Sequence, residues 1–387
     1  MIDAPGALAA DHPVAADGSS DEASTAAVAI AHDWLVRYAG SERCVEELLR
    51  VFPGARLLTT LARPSALPDA LADAEPSILQ RIPGALDHHE FLLPLMPLAW
   101  RARPPVEDVD AVVSSSHACA KAVRVAPGIP HVCYCHTPMR YAWDFEMERK
   151  RFPKGSRAAT REAMRLFRRW DRRTSARVTR FVANSSAVAE RIARFYGRTA
   201  QVVPPPVRTD YFTPGGERGD AFLYVGRLVG YKRADLVVES FAGLPYELVV
   251  VGQGQLLERL RREAGPNVRF VESVDDAGLR ELYRRSRALV YPADEDFGIV
   301  MAEAQACGLP VIGLRNGGAV DIVRDGATGW LIDEQSPEAV RHAVRRAARE
   351  TLDPQDIRAS AERFSAASYR RRMREVVETA IADPRPV

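Results

Sequence analysis

Apolar residues in this chain fall in short runs separated by stretches of helical periodicity. Val28-Ala29-Ile30-Ala31, Ala111-Val112-Val113, His131-Val132-Cys133-Tyr134-Cys135 and Arg180-Phe181-Val182-Ala183 are such runs. Runs that are apolar on both faces predict parallel strands covered by helices on both sides. The intervening patterns predict helices around Ser41 to Val51, near Ala118 to Val123 and from Ala187 to Tyr196. Val203-Pro204-Pro205-Pro206 and Pro214-Gly215-Gly216 interrupt the alternation, which is the strongest boundary signal in the chain. It then restarts, with strands expected at Ala221 to Val225, Glu247 to Val251, Val268 to Val271, Ala288 to Tyr291 and Pro310 to Ile312. Pro354 to Ala382 reads as two helices. The predicted fold is α/β, with two doubly wound, Rossmann-like domains joined by a proline-rich hinge. The expected divisions are a disordered tail over residues 1–26, a first domain over 27–205, a linker over 206–220 and a second domain over 221–355. C-terminal helices over 356–387 are expected to pack back towards the first domain.

Composition narrows the class. A chain of 387 residues with 47% hydrophobic and 27% charged residues is long enough for two soluble globular domains. No apolar run approaches the ~18–20 residues that a bilayer span requires, and the N-terminus has neither the basic start nor the apolar core of a secretory signal. Five scattered cysteines suggest reduced thiols and a cytoplasmic setting. Cys133 and Cys135 alternate along an apolar strand and read as buried small side chains rather than zinc ligands. The formal charge of +2 hides an arginine-rich stretch over residues 149–180. There Met164, Phe167 and Trp170 recur at helical spacing and are expected to pack on their own domain. The arginines around them are expected to meet an anionic acceptor or the inner face of a membrane.

Open parallel sheets bind ligands beyond the carboxyl ends of their strands. In the first half those ends carry His32-Asp33, Ser114-Ser115-Ser116-His117, His136-Thr137 and Asn184-Ser185. In the second half they carry Gly226-Arg227, Gly252-Gln253-Gly254, Glu272-Ser273, Asp294-Glu295 and Gly317-Gly318. Two such sheets facing across a hinge predict one deep inter-domain cleft. Gly252-Gln253-Gly254 reads as a simple turn, because the third glycine of a dinucleotide fingerprint is absent. The stretch Glu295-Asp296-Phe297-Gly298-Ile299-Val300-Met301-Ala302-Glu303 reads as loop, then helix. Its open helix start suits an anion and its carboxylates suit hydroxyls, which together describe a nucleotide sugar. A capped surface helix with acidic residues near its start fits the same segment equally well. Arg227 offers a planar fork and Lys232 a compact charge for phosphate oxygens.

In combination these motifs resemble the family 4 retaining glycosyltransferases of the GT-B fold. Gly226-Arg227 through Lys232, Glu295 with Glu303, and Gly317-Gly318 carry the likeness in the second half. In the first half, Ala31-His32-Asp33-Trp34-Leu35, Ser114-Ser115-Ser116-His117 and Cys133 through Trp143 resemble the bacterial mannosyltransferase branch. The likeness covers about Val28 to Asp333. It implies that Glu295 contacts the hydroxyls of a donor hexose, helped by the amides of Phe297 and Gly298, while Glu303 holds the ribose. It implies that Arg227 and Lys232 bind the diphosphate and stabilise the leaving charge, with the Ile299 and Val300 amides adding to them. Val274 would lie against the base, and His136 near the reacting face of the sugar. Gly40 would let the backbone approach the diphosphate. Ala39 replaces the first glycine of the family's pair, and a positive φ there would be costly. Asp321 stands where the family often carries Glu, and its contact is left open. No metal, cofactor or dedicated general base is implied.

The resulting expectation is a hexosyltransferase that moves mannose from GDP-mannose onto a saccharide or lipid-linked acceptor. The alternatives are a UDP-sugar, glucose or N-acetylglucosamine, used on a polysaccharide or natural product, or an epimerase or phosphorylase on the same fold. A nucleic-acid-binding protein using the arginines is the reading from another class. It leaves Glu295 and Glu303 unexplained, so nucleic acid is not expected as a partner.

Overall fold

Buried on both faces, the apolar runs pair as parallel strands in two six-stranded sheets. The computed structural model describes residues 23–143 and 157–385. Most of the expected tail, residues 1–22, lies outside them, as do residues 144–156 of the arginine-rich region. The chain divides into two units. One runs from Val207 to Ala366, and the other holds the described residues up to Pro206 together with those from Ala367 onward.

In the unit that ends at Pro206, the strands are β1 (Val28–His32), β2 (Arg56–Thr59), β3 (Ala111–Ser116), β4 (His131–Cys135), β5 (Arg180–Ala183) and β6 (Ala200–Val202). Their spatial order is β2-β1-β3-β4-β5-β6. The order reverses at the β1/β3 pair, where connections leave to opposite sides and a crevice opens beyond the strand ends. All residues of β1, β3 and β4 are buried, as a sheet covered on both faces requires. The helix Ala366–Ala382 belongs to this unit. Tyr369, Met373, Val376 and Val377 pack with Val45, Leu48 and Tyr134, and Arg370 pairs with Glu47 at 2.7 Å.

The Val207–Ala366 unit repeats the plan with β7 (Phe222–Val225), β8 (Leu248–Val251), β9 (Val268–Val271), β10 (Leu289–Tyr291), β11 (Val311–Leu314) and β12 (Gly329–Ile332). Their order is β12-β11-β10-β7-β8-β9, with the reversal at β7/β10. Val207 and Phe212 sit in this unit's core rather than in an open linker. The helix Pro354–Ala361 packs here too: Arg358 donates to the Ala306 and Phe212 carbonyls. The expected C-terminal segment therefore divides, one helix in each unit. No helix among the described residues is long and apolar enough to cross a membrane.

Two local expectations are corrected. The helix expected near Ala118 to Val123 is a single 3-10 turn, Ala120–Ala122. Its entry amides are drawn to one carboxylate, described below, and its exit is drawn into a bridge between Val125 and Val106. Ala39 is extended at φ −151°, so the strain anticipated there does not arise. Its amide donates to Glu42 Oε2 at 3.0 Å, which starts the helix Gly40–Val51 without a left-handed residue.

Candidate functional site

Beyond β7 and β10, at the reversal of the second sheet, three side chains converge. Lys232 Nζ lies 2.6 Å from Glu295 Oε1 and donates to the Tyr291 hydroxyl at 3.0 Å. The Tyr291 hydroxyl donates to the same Glu295 oxygen at 3.4 Å. Lys232 and Glu295 expose 17% and 14% of their side chains, so the pair is screened yet reachable. Burial, with the Glu295 charge beside it, pushes the Tyr291 phenol up, which keeps it a hydrogen-bond donor. Tyr224 completes the support. Its ring stacks on Tyr291 with centroids 5.8 Å apart, and its hydroxyl donates to the Lys232 carbonyl at 3.1 Å.

Glycines place the loop that carries Glu295. The Gly318 amide donates to the Glu295 carbonyl at 2.8 Å. At Gly317, φ +63°, a Cβ would lie 2.3 Å from that carbonyl oxygen, and at Gly318 one would lie 2.1 Å from the Phe297 oxygen. The loop then turns at Gly298, φ +91°, into the helix Ile299–Ala306, which has no side-chain cap. The Ile299 and Val300 amides thus open the positive end of that helix. On the other side, Gly252 abuts the Gly226-Arg227 loop so closely that a Cβ would meet the Gly226 oxygen at 2.0 Å. In the Gly252-Gln253-Gly254 turn the glycines also let two strand-end loops touch.

Of the residues expected in this unit, Lys232, Glu295, Phe297, Gly298, Ile299 and Val300 come together on the loops and helix just described. Glu303, on the same helix, is buried and accepts from the Tyr283 hydroxyl at 3.4 Å. Arg227 is exposed, with its guanidinium donating to the Tyr231 hydroxyl. Val274 lies half-buried in the loop after β9.

The second cluster lies beyond β1, β3 and β4 in the other unit. Asp33 is fully buried, and its carboxylate accepts the amides of His117, Ala118, Cys119 and Ala120 at 2.5–2.9 Å. Burial alone would raise its pKa. The His117 and His32 rings and the amide donors outweigh burial and hold the carboxyl below its usual range. His117 Nδ1 lies 3.3 Å from Asp33 Oδ2. A polar line runs beside this pair. Glu42 Oε1 lies 3.5 Å from His32 Nε2, His32 Nδ1 lies 3.1 Å from both the carbonyl and the hydroxyl of Ser115, and that hydroxyl lies 2.8 Å from His136 Nε2. A carbonyl can only accept, so His32 Nδ1 carries the proton, and Ser115 holds the His136 ring by Nε2. Burial pushes His136 down to about 3, so the ring is neutral near pH 7. Gly40 starts the helix whose Glu42 begins this line, which ties the Gly40 loop to His136.

Deeper in the same unit, Lys121 Nζ pairs with Asp171 at 2.5 Å, and Trp143 and Tyr196 each donate to Asp171 at 2.8 Å. This buried set anchors the helix Arg157–Ser175, whose Phe167 and Trp170 pack against its own unit as expected. Cys133 and Cys135 are buried free thiols. The described residues hold no group of three or more His, Cys, Asp or Glu able to cage a metal ion.

Two family models match the chain. Residues 38–211 match Glycosyltransferase Family 4, and residues 214–368 match Glycosyl transferases group 1. A D-inositol 3-phosphate glycosyltransferase of Geodermatophilus obscurus is 35% identical over 204 residues, 44% of this chain and 45% of that protein. D-inositol 3-phosphate glycosyltransferase 2 of Catenulispora acidiphila is 35% identical over 199 residues, 43% of this chain and 47% of its own length. The chain thus spans about half the length of the curated relatives it matches. Among solved structures, sucrose-phosphate synthase from Thermosynechococcus elongatus aligns at TM-score 0.68 and 17% identity, covering 92% of this chain and 99% of its own. Anabaena Alr3699/HepE, solved in complex with UDP and glucose, aligns at TM-score 0.65 and 16% identity, covering 92% and 100%. The fold is that of the GT-B glycosyltransferases, as expected.

Proposed function

We propose, from a chain whose two halves match glycosyltransferase family models, that it transfers a hexose from a nucleotide sugar to a hydroxyl acceptor. The observation that carries this is the Lys232–Glu295–Tyr291 constellation beside the uncapped helix start at Gly298. A diphosphate would draw Lys232 away from Glu295 onto its oxygens, with the Ile299 and Val300 amides facing the same charge. Glu295, released, would accept from the sugar hydroxyls together with the Phe297 and Gly298 amides, while Glu303 would hold the ribose and Val274 the base. Arg227, on the exposed side, would close on the outer phosphate. Positive charge placed where the leaving group gathers negative charge is the largest catalytic effect available to such a site. With these cations in place the reading needs no metal.

His136 and Gly40 belong to the other unit, to which this reading gives the acceptor, and the Ser115 hydroxyl holds the His136 ring there. The first-half motifs favour mannose from GDP-mannose, transferred with retention onto a saccharide or lipid-linked acceptor in the cytoplasm or at the inner face of a membrane. A second reading keeps the reaction and changes the donor. HepE was solved with UDP-glucose as well as with UDP and glucose, and the relatives are named for D-inositol 3-phosphate, so UDP-sugars and a phosphorylated polyol acceptor belong in the same test.

That test is a donor panel. UDP-glucose, UDP-N-acetylglucosamine and GDP-mannose are each incubated with the full chain, and nucleoside diphosphate release and thermal midpoint are read together. A ligand bound only by the native state raises the midpoint with the logarithm of its saturation. The reading expects one donor to raise the midpoint and to release its nucleoside diphosphate slowly. No response to any nucleotide sugar would contradict it.

A further inference from the structure

From Phe91 to Trp100 the chain carries no charged or hydrogen-bonding side chain apart from the Trp100 indole. The stretch folds as a 3-10 helix, His89–Leu95, that runs straight into the helix Met96–Ala102, whose first turn holds Pro97. A helical stretch that is apolar on every side needs cover on every side. One side has it. Met96, Ala99 and Trp100 are buried with Leu79 and Ala85 in the unit that ends at Pro206, and Leu92 and Leu93 pack against them. The opposite side is open: Phe91 is 80% exposed, Leu95 40% and Leu98 60%. Each follows the last by about one turn, so the three make a ridge. The turn Ile78–Arg81 lies against Met96–Ala102 and adds Ile78, 63% exposed. Large apolar side chains gathered in one patch mark a surface made to be covered.

The charges at the ends of the ridge select what covers it. Beside Phe91 stands the exposed Glu90, and Asp87 behind it is paired with Arg63. One turn beyond Leu98 stands the exposed Arg101, with Arg124 donating to its carbonyl at 3.4 Å. One end is therefore acidic and the other basic. An anionic lipid surface favours basic groups all round an apolar face, and Glu90 next to the most exposed ring opposes it. A ridge with opposite charges at its two ends is instead complementary to itself when turned end for end. We propose that a second copy of this chain covers the ridge. The two ridges lie antiparallel about a two-fold axis near Leu95. Phe91 of each copy packs on Leu98 of the other, and Glu90 of each faces Arg101 of the other. A parallel pairing would set like charge against like charge. The ridge also connects with the strand-end cluster of its own unit. The His89 ring centroid lies 5.4 Å from that of Trp34, which stands 4.5 Å from that of His117. The second copy thus rests on the segment that borders this cluster, whichever donor is used.

The test is sedimentation velocity of the full chain, parent and variants, from low to high micromolar concentration. The parent is expected to form a dimer whose fraction rises with concentration. Leu98→Glu is expected to weaken dimerisation by about 10-fold or more, because it sets a charge in the centre of the contact. Circular dichroism of that variant checks that the monomer is still folded. Glu90→Arg and Arg101→Glu are each expected to weaken the dimer about 3- to 10-fold, and the two together to restore it to within about 3-fold of the parent. Both positions are exposed, so a folding defect cannot imitate the restoration. A parent that stays monomeric at every concentration would overturn the proposal. So would a dimer indifferent to Leu98→Glu, or charge reversals that fail to compensate each other. Flotation of a monomeric parent with phosphatidylglycerol vesicles, lost in Leu98→Glu, would overturn it in favour of a membrane.

Discussion

Lys232 and Glu295 hold each other at 2.6 Å with Tyr291 touching both, so neither charge is left bare where little water reaches it. A charged group in such a place needs a partner, and a ligand can enter by offering each member a replacement. The same logic shows which residues the sequence could disclose. A cation and an acid on strand-end loops, with a second acid on the helix that follows, stand out by type and spacing. Tyr291 does not, because it is the last residue of an apolar run and reads as core; only contact geometry shows its hydroxyl between the two charges. Asp33 likewise looks like one more polar strand end until four amides are seen converging on it. Gly317 offers the sharpest check at this scale. Its φ of +63° and the 2.3 Å approach to the Glu295 oxygen leave no room for a methyl group. Gly317→Ala is expected to cost about 1–3 kcal/mol and to shift the Glu295 loop. Gly230→Ala, whose Cβ would meet nothing within 4 Å, is expected to stay within about 0.5 kcal/mol. Chemical denaturation of the two variants measures the difference; equal stabilities would contradict the packing described.

Among the elements, buried parallel strands were the most legible because nothing but apolar residues can fill them. His131–Cys135, Arg180–Ala183 and Val268–Val271 begin and end where the pattern places them. The pattern did not single out β2, β6 and β12, strands of only three or four residues at the sheet edges. The turn at Ala120–Ala122 looked like a helix because propensity is local, whereas the carboxylate that shapes it comes from 87 residues earlier. The strand ends also concentrate histidines that burial keeps neutral: His131 is pushed down to about 4 and His136 to about 3, from 6.5. With folded values below the unfolded one, the unfolded chain binds more protons across this window. Stability is thus present above about pH 6.5 and lost as pH falls towards 4, by up to ~1.4 kcal/mol per pH unit for each histidine. Denaturant midpoints at pH 7, 6 and 5 should fall in that order, and His131→Gln should reduce the slope. A flat profile over that range would contradict neutral buried rings.

At the scale of the whole molecule, each unit closes its own parallel sheet and each sheet reverses once, so each presents polar side chains at one reversal. That repetition is what made the fold class readable from alternation alone. The chemistry is not repeated: one reversal carries a cation, two acids and an open helix start, the other three histidines and a buried carboxylate. The account assigns the first to an activated sugar and the second to the group that receives it. Its central claim is that Lys232 is the cation that meets the diphosphate. Isothermal titration of UDP and GDP into the parent and into Lys232→Ala tests this most directly. The account predicts that one nucleotide binds the parent and that its affinity falls about 10- to 100-fold in the variant, as expected for a lost charge-assisted contact. Unchanged affinity in Lys232→Ala would contradict it.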